Sequence, residues 1–198
     1  MDQHRADVVG LILVDPAVEY QDRDFAKVSA AKDKSEKEFE ANVKACAQAV
    51  IDGTMTPDLP QRPYCIDGPS KSLPASVNAA RLASQSTATY QKAAVSELTQ
   101  FDGASSDQVA KSRHSWGDLP VIVLTAENTQ KDPDLSEADQ DALTKSWWAM
   151  HERIAKLSTR GENRLVPATG HMIPSQRPQV VVDAAVSMVV EARKGRAE

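Results

Sequence analysis

Three short apolar runs stand out along the chain. Residues 8–14 (VVGLILV) are almost continuously apolar and stop at Asp15-Pro16. Residues 121–125 (VIVLT) follow Leu119-Pro120, and residues 164–166 (RLV) lie within ENRLVPATGH. Apolar runs without polar alternation suit parallel strands covered on both faces, so all three predict buried strands. Between them the pattern turns helical. Phe39, Val43, Cys46 and Val50 recur at helical spacing, and Gly53 ends that helix. A second helical pattern over 76–101 places Tyr90, Ala94, Leu98 and Phe101 on one face. Leu143, Trp147, Met150, Ile154 and Leu157 form a third amphipathic face, opened by Ser136-Glu137-Ala138-Asp139, which is close to a capping box. The last helix, over 178–192, begins on a proline and directs Val182, Ala185, Val186 and Val189 inward. Residues 54–74 hold five of the eleven prolines as well as Gly68, and predict loop.

The order is strand, long helical insertion, strand, helix, strand, helix. This is an α/β chain with a short parallel sheet of about three strands, paired as neighbours in sequence order. Residues 1–19 and 115–198 would make the partial core. The insertion over 20–114 is too long for a simple crossover and reads as a mostly helical cap over the C-terminal strand ends, where open α/β sheets bind ligands.

The 198 residues carry 23 Lys and Arg against 28 Asp and Glu, for a net charge of −5. The cations are dispersed and form no basic stripe with interleaved aromatics, which argues against nucleic-acid binding. No apolar run approaches the roughly 20 residues that span a bilayer, so the chain reads as soluble. The N-terminus has no basic leader or small-residue cleavage site, and the chain as it stands reads as cytoplasmic. Cys46 and Cys65 have no CxxC or histidine neighbours at ligand spacing, which argues against zinc. They are either two buried thiols or a disulfide, and a disulfide would imply an exported parent protein.

His171, in ATGHMIP, sits after the third strand and before the last helix. There a histidine can act as a general base, since its unperturbed pKa near 6.5 suits proton transfer at neutral pH. Gly170 is expected to let the backbone turn sharply beside it. His151 reads as a partly exposed helix residue, and His4 and His114 have no motif around them. Trp147 lies on the core stripe of its helix and is expected to pack.

LPVIVLTAE, followed by LSTRGENRLVPATGHMIPSQRPQVVVDAAVSMVV, resembles the last two strands and histidine loop of α/β-hydrolases. ADVVGLILVDPA is similar to the strand after that family's nucleophile helix. The resemblance covers about residues 5–20 and 116–193; residues between them are not diagnostic. It implies a C-terminal part of the fold and a Ser–His–acid triad for hydrolysis of an ester, amide or related bond. It implies no metal and no organic cofactor. His171 would be the base.

The family's serine sits in a G-x-S-x-G elbow, and this chain has none. Gly68-Pro69-Ser70 is the nearest imitation; it lacks the second glycine and a strand–helix setting. The resemblance therefore implies a chain that begins partway through the fold, without nucleophile or oxyanion donors, and inactive alone. Thr129 falls where the family places its acid. Asp15, first after the first apolar run, is the leading acid; Asp132, Glu127 and Glu19 are the alternatives. Two other readings stand beside this one: a non-enzymatic interaction module, and one half of a two-chain hydrolase. The partners implied are a small-molecule substrate and an N-terminal partner chain, or self-association through an open sheet edge.

Overall fold

A computed structural model describes residues 7–194; His4 lies outside them. The chain divides into two compact units, one of Met1–Ser29 with Val109–Glu198 and one of Ala30–Gln108.

The first unit is built on three parallel strands, β1 (Leu11–Val14), β2 (Val121–Ala126) and β3 (Gly161–Val166), in the order β1-β2-β3. The register sets Leu11 beside Val121, and Val121 beside Gly161. Alternation along the strands divides the core in two. Leu11, Leu13, Val121 and Val123 face one way, packing with Phe25 of α1 (Gln21–Val28) and with Leu143, Trp147, Met150 and Ile154 of α6 (Glu137–Ala155). Ile12, Val14, Ile122, Leu124 and Val166 face the other way, against Ile173 of α7 (Ile173–Gln176) and Ala184 and Met188 of α8 (Pro178–Lys194). Helices on both faces explain why the central strand β2 is buried at every residue. The Ser136 hydroxyl caps α6 by accepting from the Asp139 amide at 3.1 Å.

Four local expectations are corrected. β1 begins at Leu11, not at residue 8. β3 begins at Gly161, three residues before its apolar end: a Cβ on Gly161 would fall 1.9 Å from the Ala155 carbonyl oxygen, so the strand starts where α6 passes closest. On α8 the buried side is Ala184 and Met188 with Val180 and Val181, while Val182, Val186 and Val189 are exposed. The helical pattern over 76–101 is two helices, α3 (Ala75–Gln85) and α4 (Ala88–Gln100), and Tyr90 and Phe101 are exposed. Thr87 starts the second by accepting from the Tyr90 amide at 3.2 Å.

The second unit is helical, with α2 (Ala30–Ile51), a 3-10 turn (Arg62–Tyr64), α3, α4, a π turn (Phe101–Ser105) and the start of α5 (Ser106–Ser112). Its apolar core is thin: Val43, Cys46, Ala47 and Ile66 are buried, alongside the polar Gln85, Gln91 and Ser106. Cys46 and Cys65 are joined by a disulfide with a Cα separation of 5.8 Å. The Gln91 side chain donates to the carbonyls of Cys65 (3.1 Å) and Gln85 (2.6 Å), tying the proline-rich loop to α4.

Candidate active site

Parallel strands end at the same edge of the sheet, so residues far apart in sequence meet there. Asp15 follows β1 directly. Its amide still donates to the Leu124 carbonyl at 2.7 Å, but its φ of 45° is left-handed, a conformation that Asp tolerates better than most residues. Asp15 is fully buried.

A buried carboxylate is costly unless its acceptor positions are filled. Here they are. Oδ1 accepts from the Ala126 amide and the Trp147 indole N–H, both at 2.9 Å. Oδ2 accepts from the Thr129 hydroxyl at 2.6 Å and from His171 Nδ1 at 2.9 Å. His171 stands 156 residues away in sequence, and its side chain is 62% exposed. An ionised carboxylate only accepts, so Nδ1 carries a proton, and in the neutral ring Nε2 is the lone-pair nitrogen. Nε2 has no partner among the described residues. The arrangement orients an imidazole with its basic nitrogen outward, the geometry in which histidine takes a proton from a nucleophile.

The other acid candidates lie elsewhere. Glu127 Oε2 accepts from the Ala168 amide at 2.8 Å, which together with Asn128 N–H to the Thr169 carbonyl (2.8 Å) pins the histidine loop to the end of β2. Asp132 Oδ1 accepts from the Asp134 amide at 2.9 Å in a local turn. Glu19 is ion-paired with Arg113. No hydrogen bond or ion pair joins Asp132, Glu127 or Glu19 to His171. The sharp bend in the histidine loop is at Ala168, with a φ of 55°, and not at Gly170. Gly170 donates its amide to Gln176 Oε1 at 2.8 Å, and a Cβ there would meet that side chain only at ordinary contact, 3.8 Å.

Two residues of α6 complete the site, and sequence periodicity assigned neither to it. Trp147 is buried in the core as expected, yet its indole nitrogen reaches Asp15. His151 is fully buried, not partly exposed. Its ring lies 4.3 Å from that of Trp147. His151 Nε2 is 2.9 Å from the Pro16 carbonyl and Nδ1 is 2.6 Å from the Thr125 hydroxyl. A carbonyl only accepts, so Nε2 carries a proton. Burial pushes the imidazole below the ordinary histidine value, against the upward pull of the Pro16 carbonyl and the Asp15 charge. With the ring neutral, Thr125 donates to Nδ1. The same hydroxyl also lies 2.5 Å from Asn163 Oδ1, a second acceptor for its single proton.

Ser70 sits in a polar loop of the second unit, its hydroxyl 2.8 Å from that of Ser72 and its amide donating to Asn78. His114 is exposed, with Nδ1 2.8 Å from the Ser112 carbonyl. Among the described residues no three His, Cys, Asp or Glu side chains converge as a metal site would require, and no helix is long and apolar enough to cross a membrane. One cavity of about 170 Å³, near Pro120, Arg160 and Glu191, and one of about 270 Å³, near Arg62 and Arg81, do not include Asp15 or His171. No family model, curated protein or solved structure matches the chain.

Proposed function

We propose that this chain carries the acid–base half of a Ser–His–acid hydrolase site on an α/β-hydrolase-like fold. His171 Nε2 is the general base, and Asp15 holds the imidazole in the required tautomer and stabilises the imidazolium once it has accepted a proton. The chemistry is hydrolysis of an ester, amide or related bond of a small molecule through an acyl-enzyme. The observation that carries the reading is the 2.9 Å hydrogen bond from exposed His171 to the buried, fully hydrogen-bonded Asp15. The sequence contains no G-x-S-x-G, so the serine and oxyanion donors come from a strand–elbow–helix segment outside these 198 residues, in the same or a separate polypeptide. The outer edge of β1 supports this. It is apolar and pairs with no strand among the described residues. The Cys46–Cys65 disulfide supports an oxidising compartment for the whole protein.

A second reading, a non-enzymatic interaction module, draws on the outer face of α8, where Val182, Val186, Val189 and Val190 are exposed. The DNA upstream and in adjacent reading frames discriminates the two. A strand–G-x-S-x-G–helix segment found there is co-produced with this chain and assayed on p-nitrophenyl esters. Turnover is expected only in the combination and is lost with His171→Ala. Absence of such a segment, or turnover that survives His171→Ala, overturns the hydrolase reading.

A further inference from the structure

Asp15 adopts a left-handed backbone conformation, uncommon for L-residues although Asp tolerates it better than most. β1 and β2 fix its amide, through Leu124, and one donor to its carboxylate, the Ala126 amide. Neither fixes the peptide that follows or the rotation of the carboxylate about its bond. The Thr129 hydroxyl holds Oδ2, and α6 supplies the two remaining contacts, one to Oδ1 and one to the following carbonyl. Trp147 and His151 are four residues apart, so they share one face of the helix, one above the other. The indole N–H of Trp147 is bonded to Oδ1, and the His151 imidazole to the carbonyl of Pro16, the residue after Asp15. The pair is itself immobilised. Trp147 lies between the His151 ring at 4.3 Å and the Phe25 ring at 5.8 Å, and His151 Nδ1 is bonded to Thr125 of β2.

We propose that Trp147 and His151 are positioning residues for the Asp15–His171 pair: α6 grips the Asp15 turn once at the carboxylate and once at the next carbonyl, and so keeps Oδ2 aimed at His171 Nδ1. This rests on the hydrolase reading for its purpose, but the contacts are testable without turnover.

The test is nitrogen-15 NMR of the imidazoles and indoles in the full chain. In the unsubstituted protein His171 is expected to carry its proton on Nδ1, with that proton protected from exchange. Trp147→Phe keeps an aromatic ring between Phe25 and His151 but removes the donor. Exchange of the His171 Nδ1 proton should then accelerate by about tenfold or more, the scale of a lost hydrogen bond to a charged group, and the Nε2–H tautomer should gain population. His151→Leu should act in the same direction, whereas His151→Gln, whose amide can still donate to Pro16, should restore part of the protection. Trp148→Phe, the same change one residue on, should have no effect. Should Trp147→Phe fail to fold, the unsubstituted protein still decides. Because both donors share Asp15, the Trp147 indole resonance should move as His171 is titrated and stay fixed in His171→Ala. An unaltered His171 tautomer in folded Trp147→Phe, or an indole resonance indifferent to His171, overturns the proposal. A His171 that lacks the Nδ1 proton in the unsubstituted protein overturns the hydrolase reading itself.

Discussion

On the proposed hydrolase reading Thr129 stands at the expected place of the acid, and its hydroxyl donates to the carboxylate of Asp15. One carboxylate therefore serves His171 from the end of β1, and the later loop contributes a donor to it. Placing a second carboxylate at that distance forces two like charges into a buried space. Thr129→Asp is expected to lower stability by about 1–3 kcal/mol, and Asp15→Asn added to it should recover much of the loss, because Asn tolerates the left-handed backbone and can donate to the new acid. Urea denaturation of the two single variants and the double variant gives the coupling directly. A double variant no more stable than Thr129→Asp would contradict this account of the carboxylate's surroundings.

His151 gives the residue scale a pH dependence. Its folded-state value lies below 6.5, chiefly through burial, so at mildly acid pH the unfolded chain binds a proton that the folded chain does not. Stability from this group is complete above the unfolded value and declines as pH falls below it toward the folded value, by at most about 1.4 kcal/mol per pH unit. Denaturation midpoints measured from neutral pH to about pH 5 should fall, and His151→Gln should flatten the slope over that window. The sequence points to Asp15 and His171 because each borders an apolar strand at the same sheet edge. His151 is harder to read. It lies four residues from Trp147 and three from Ile154, on the buried stripe, but a polar residue type counts as exposed until its two partners, Pro16 and Thr125, are known.

Among the elements, β2 is legible because burial on both faces makes it apolar throughout, and β3 is legible only at its end because Glu162, Asn163 and Arg164 belong to an edge. The face of α8 is illegible for a different reason. Val180, Val181, Val182, Val186, Val189 and Val190 surround the axis, so helical periodicity selects no side. The second unit raises the question of what stabilises helices with so few buried apolar residues. Ion pairs along α2, such as Lys37 with Asp33 at 2.7 Å, are exposed and contribute a few tenths of a kcal/mol each. The Cys46–Cys65 bridge, with a sequence separation of 19, removes far more freedom from the unfolded chain, worth about 3 kcal/mol on the loop-entropy model. Reduction with dithiothreitol, or Cys46→Ser, should therefore lower the melting of the helical signal, and unchanged denaturation after full reduction would show that the helices hold without it.

At the scale of the molecule, the two edges of the sheet differ in kind. β3 carries Glu162 and Arg164, paired with each other, and charged residues on an edge strand discourage another strand from docking. β1 presents Leu-Ile-Leu-Val with no charge. Where no other chain covers it, this edge is expected to recruit another copy, an association that light scattering at rising concentration detects.

One sticky edge and one guarded edge also set a limit on stoichiometry. When two copies meet β1 to β1 about a two-fold axis, each uses its uncharged edge, and the result is a six-stranded sheet flanked by charged strands. Propagation needs two receptive ends per molecule, and this sheet has one. Association through the sheet should therefore stop at a pair at any concentration, without the head-to-tail growth that leads to fibres.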